Sequence, residues 1–76
     1  MSYADSIVDF VLDDCSCVLV NGGDFGDQIQ SAIYALEDGE YLTRSGFTDD
    51  NQADIEEAYS ILEKMLDDYK RNKKDE

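Results

Sequence analysis

The chain has 76 residues, 42% of them hydrophobic, and its 19 Asp and Glu against 6 Lys and Arg give a formal net charge of −13. So short a chain forms one domain, whose core alone rarely supplies more than about 3–5 kcal/mol, and a multi-part enzyme fold such as a TIM barrel or a full dinucleotide-binding domain does not fit. The sign of the charge argues against direct nucleic-acid binding and against an anionic membrane surface, both of which need clustered Lys and Arg.

The first segment carries Val8, Val11, Leu12, Cys15, Val18 and Leu19 at helical spacing as far as Asn21-Gly22-Gly23, and this predicts one helix over about 3–20. Cys17-Val18-Leu19-Val20 also has a strand-like composition, because β-branched side chains suit a pleated surface. The alternative is therefore an α+β domain with short strands near 17–20 and 41–45. A second helix is expected over about 24–38, with Ile29, Ala32, Ile33 and Leu36 as its stripe and Phe25 one turn earlier. Asp24 or Asp27 caps its start, and Gly39 stands where a left-handed stop residue is wanted. Residues 41–47 read as a loop whose Tyr41, Leu42 and Phe47 tuck under the helices.

The third helix, about 50–71, has the clearest pattern. Ile55, Ala58, Tyr59, Leu62, Met65, Leu66 and Tyr69 recur every three or four residues. Thr48, Asp49 or Asp50 can cap it. Its acidic start and basic end complement the helix dipole, and Asp67 to Arg71 forms a favourable i,i+4 pair. Residues 72–76 read as a frayed tail. Three amphipathic helices with short connections make a mainly α, three-helix domain, and the length of the third stripe leaves room for a homodimer seam.

Met1-Ser2-Tyr3-Ala4-Asp5 lacks the positive segment of a secretory signal, and no apolar run is long enough to span a bilayer. Cys15 and Cys17 are fewer than a secreted mini-protein uses, so the expected location is cytoplasmic with reduced thiols.

Signatures of catalysis are missing. The chain contains no histidine, which removes the commonest general base, metal ligand and nucleophile partner. Two thiols one residue apart do not complete a tetrahedral metal site, and Cys15 reads as a core residue. Asp49-Asp50-Asn51-Gln52-Ala53-Asp54 departs from a calcium loop at its fifth and sixth positions, Ala53 and Asp54, so capping is the simpler reading. Gly22-Gly23-Asp24-Phe25-Gly26 has the look of a phosphate loop, but Asp24 and Asp27 would repel an anion. No enzyme activity, catalytic residue, cofactor or metal is expected.

What remains is the placement of the carboxylates. Residues 1–63 carry a net charge of −14, with Arg44 as their one basic residue. Asp5, Asp9 and Asp13 repeat every four residues, which sets them about 6 Å apart along a helix, an interval comparable to that between phosphates of a nucleic-acid strand. Asp14 adjoins this row, Asp24 and Asp27 flank the second helix, and Asp50, Asp54 and Glu57 begin a second row on the third. Like charges at this spacing destabilise a helix, and so large an imbalance opposes compaction, so binding to a basic partner is the favoured reading over a merely solvated face. Those nine residues are the candidate partner-binding site, with Tyr3, Tyr34, Tyr41 or Phe47 as anchors.

Two resemblances follow. Ala4-Asp5-Ser6-Ile7 ahead of an acidic helix is similar to the Asp-Ser-Leu attachment site of acyl carrier proteins, which would make Ser6 a modified residue; in that family the serine opens the second helix, whereas Ser6 lies in the first. In size, charge and carboxylate spacing, the whole chain resembles small acidic phage-encoded inhibitors that imitate nucleic acid, the anti-restriction and anti-CRISPR proteins. No motif of theirs is matched, so no residue role is carried over. That resemblance implies an inhibitor acting in the host bacterial cytoplasm on a basic nucleic-acid-binding protein: a CRISPR effector, a restriction enzyme, or a nucleoid or transcription factor. The alternative is a regulatory adaptor, antitoxin-like, docking by the apolar face of its C-terminal helix, with Leu62 and Tyr69 as contacts.

Overall fold

The computed structural model describes residues 3–74. Its elements are α1 (Tyr3–Asp14), α2 (Cys17–Val20), α3 (Phe25–Glu37), α4 (Gly39–Arg44), a 3-10 turn (Asp49–Asn51) and α5 (Gln52–Lys74). The domain is mainly α, as expected, and no strand forms among the described residues, at 17–20, 41–45 or elsewhere. At about 1.5 Å per residue, the 23 residues of α5 account for most of the 42 Å long axis. α5 packs against both α1 and α3, which also touch each other, while α2 and α4 lie against α3.

Ala4, Ile7, Val8 and Val11 of α1, Ile29, Ala32, Ile33 and Leu36 of α3, and Ile55, Ala58 and Leu62 of α5 form the buried cluster. Ala4 and Ile7 are additions to the expected stripe of the first helix. The apolar face proposed as a dimer seam is turned inward: Ile55, Ala58 and Leu62 are buried, and Tyr59, Ile61, Met65, Leu66 and Tyr69 are packed against them.

The expected helix over 3–20 is broken. The Ser16 amide reaches back three residues to the Asp13 carbonyl (3.1 Å), while the Leu12 carbonyl accepts from the buried Gln28 side chain at 2.6 Å. The acceptor that Ser16 would use in a continuous helix is thus shared between the Cys15 amide, at 3.2 Å in a tightened last turn, and the long-range bond from Gln28. α2 is a single turn beyond the break, and Leu19, read as part of the stripe, is 45% exposed. Gly22, at φ 97°, closes that turn in the left-handed region.

Asp24 caps α3 in a reciprocal box: Asp24 Oδ1 accepts from the Asp27 amide (2.9 Å), and Asp27 Oδ2 accepts from the Asp24 amide (3.2 Å). The loop expected at 41–47 is largely helical. Extended Asp38 ends α3 and caps α4 through the amides of Glu40 and Tyr41, with Glu40 and Arg44 suiting its dipole. Gly39, expected as a left-handed stop, is instead the first residue of α4, and the left-handed glycine is Gly46 (φ 91°) after that helix. Leu42 and Phe47 do pack under the helices. Thr48 and Asn51, not the aspartates between them, make the reciprocal cap before α5. α5 runs through Lys74, past the expected end at 71, and the last two residues of the expected tail lie outside the described residues.

Candidate functional site

The nine candidate carboxylates fall on three parts of the fold. Asp5, Asp9 and Asp13 are all exposed on α1. At about 100° per residue they span an arc of about 80°, opposite Ala4, Ile7, Val8 and Val11. They therefore form one continuous row on the outer side of α1. Asp14 ends that helix on a different side, where its Oδ2 accepts from the Tyr41 hydroxyl at 2.8 Å.

Asp24 and Asp27 form the α3 capping box, so their carboxylates are engaged by backbone N–H groups. They also border a cavity of about 250 Å³ shared with Tyr69 and Lys70, which sets a cation beside them. At the start of α5, Asp50 and Glu57 are exposed and Asp54 is half-buried. The row on α1 and the group at the start of α5 remain on separate elements, packed as neighbours through the core faces of α1 and α5. Among the described residues one ion pair forms, Arg71 Nε to Asp67 Oδ2 at 3.1 Å, as the i,i+4 spacing predicts. Both side chains are exposed, so it adds little stability.

The phenol of Tyr41 is pushed up to about 12, by burial first and then by its hydrogen bond to Asp14. Tyr59 is raised as well, because its hydroxyl donates to Glu37 Oε1 at 2.7 Å, with partial burial and the charges of Glu37 and Glu63 adding to the effect. Burial, then the neighbouring Asp14 and Cys17, raise the Cys15 thiol and oppose thiolate formation. Cys17 is exposed. No group of three or more Cys, Asp or Glu among the described residues is arranged to hold a metal ion, and no helix among them is long and apolar enough to cross a membrane.

Of the expected aromatic anchors, Tyr3 (51%) and Tyr34 (62%) are exposed. Tyr41 and Phe47 are half-buried. Phe10 is exposed too, beyond the expected anchors, and meets Phe47 edge to face at 5.9 Å and 87°. It lies off the Ile7, Val8, Val11 stripe, so a helix over these residues turns it toward solvent. Ser6 is also exposed, in the interior of α1.

Compared with known proteins, the chain matches no protein-family model, no curated protein and no solved structure.

Proposed function

We propose that this protein is a non-enzymatic inhibitor that covers the cationic nucleic-acid site of a protein partner by charge mimicry. The observation that carries this reading is the α1 row: Asp5, Asp9 and Asp13 stand exposed at helical repeat distance, with no ion-pair partner among the described residues. Such a row offers carboxylates to a Lys and Arg groove at intervals close to those of phosphates. Complementary fields accelerate encounter and make the complex salt-sensitive. CRISPR effectors, restriction enzymes, and nucleoid or transcription factors are the partner classes whose sites have this chemistry.

The adaptor reading draws less support from the fold, because Leu62 is fully buried and Tyr69 is packed against the core. The carrier reading rests on the exposed Ser6 alone. A mass gain on Ser6 after incubation with a phosphopantetheinyl transferase would favour it.

The test of the inhibitor reading is affinity capture from bacterial lysate, elution in a salt gradient, and assay of each captured protein for nucleic-acid binding with and without this chain. Elution by modest salt and competition with DNA or RNA are expected. Captured proteins that hold nucleic acid equally well in its presence would refute the reading.

A further inference from the structure

Beside the α1 row lies a groove of about 250 Å³ lined by Tyr3, Ser6, Ile7, Phe10, Ser45 and Phe47. We infer that this groove receives an arginine side chain of the protein partner, stacked on the aromatic rings while the flanking aspartates meet its charge. The inference rests on the mimicry reading and extends it by naming the side chain that the surface recognises.

Tyr3, Ser6 and Phe10 follow one another at steps of three and four, so they form a strip along one side of α1. Asp13 and Asp14 lie three and four residues beyond Phe10 and continue that strip as acid. Phe47, reached by the chain after α4, forms the opposite wall and holds Phe10 through its ring contact. Phe10 and Phe47 therefore brace each other before any partner arrives, which limits the side-chain entropy lost on binding. No carboxylate lines the groove itself, but exposed aromatic surface one helical turn from Asp13 and Asp14 favours a planar guanidinium, which stacks and donates several hydrogen bonds at once. The hydroxyls of Ser6 and Ser45 are acceptors for those donors.

Charge also selects the occupant. A second copy would bring the same acidic row against this one, and an anionic lipid surface would be repelled. The grooves beside Tyr59 and beside Tyr69, between α3 and α5, are less suited to a cation. In the first Glu37 is engaged by Tyr59 and Asp67 by Arg71, leaving Glu63, and Lys70 already stands in the lining of both.

The experiment is an amide-resolved NMR titration at low salt with two blocked peptides, one alternating glycine with arginine and the other glycine with lysine. The arginine peptide is expected to shift the amides of Ser6, Phe10, Ser45 and Phe47 and to bind about three- to fivefold tighter than the lysine peptide. F10L, which keeps apolar packing but removes the aromatic face, is expected to erase that preference by weakening arginine binding about three- to fivefold and lysine binding less. F10A serves as a second variant with the same expectation. Equal affinity for the two peptides, with shifts confined to the surroundings of Asp5, Asp9 and Asp13, would overturn the groove and leave charge mimicry standing. No binding of either peptide would overturn both.

Discussion

The Gln28 side-chain amide donates to the Leu12 carbonyl across 2.6 Å, joining the first turn of α3 to the end of α1. Gln28 is the buried polar residue among the described side chains, 7% exposed, and its bond coincides with the break between α1 and α2. Q28A removes the donor and leaves a gap at the α1–α3 contact. It is expected to cost about 1–3 kcal/mol in urea denaturation. An unchanged midpoint would mean that this bond does not hold the break in place.

Gly26 is set by close approach. A Cβ there would lie 2.8 Å from Tyr69 Cε1 and 3.0 Å from Cδ1, against the ring that meets Phe25 edge to face. Alanine normally favours a helix by about 1 kcal/mol over glycine. Here G26A is expected to be net destabilising by about 1–2 kcal/mol, because the overpacking strain exceeds that gain. A double-mutant cycle with Y69A checks the cause: in the Y69A background the penalty should vanish or change sign.

Alkaline pH probes the Tyr41–Asp14 contact. The folded-state value of Tyr41 is raised above the ordinary 10 to about 12, so the folded protein holds the phenolic proton more tightly than the unfolded chain. This contribution is fully present below pH 10 and is lost as pH rises toward 12. Denaturation midpoints should therefore fall across that window, and Y41F should flatten the decline. Ultraviolet titration should show the latest phenolate step disappearing in Y41F.

Thiol reactivity should be unequal. Cys15 is half-buried, and its pKa is raised by burial, Asp14 and Cys17, whereas Cys17 is exposed. At neutral pH, C17S is expected to react with a maleimide at least several-fold more slowly than C15S. Equal rates would contradict the placement of Cys15.

Much of this architecture could be read from local signals. The α5 stripe, the Asp24 cap and the Asp67–Arg71 pair each follow from spacing within a few residues, and each is present. What escaped depends on partners distant in sequence or on competition between caps. The helix over 3–20 breaks where Gln28, sixteen residues away, donates to the Leu12 carbonyl. A helix through Asp38 makes Gly39 its natural stop, yet Asp38 adopts the extended conformation that caps α4. Of the three cap candidates before α5, Thr48 is the one that caps, and only its reciprocal partner Asn51 goes unnamed by the local pattern. Among the candidate carboxylates, the α1 row follows from four-residue spacing alone. The engagement of Asp14 with Tyr41 and of Asp24 with Asp27 is seen only in the fold.

The charge-mimic account ties binding to a cost in stability. Asp9 and Asp13 repel each other on α1, and Asp13 lies near the helix end where negative charge is disfavoured. The most direct measurement compares the native chain with D5N/D9N/D13N in displacing fluorescent DNA and RNA from a panel of basic nucleic-acid-binding proteins across a salt series. The account predicts that the variant unfolds within a few tenths of a kcal/mol of the native chain, because relief of repulsion at Asp9 and Asp13 is offset by loss of the favourable first-turn charge of Asp5, yet displaces nucleic acid at least tenfold less well, and that native displacement fades with salt. Equal displacement by both chains, or displacement indifferent to salt, would contradict it.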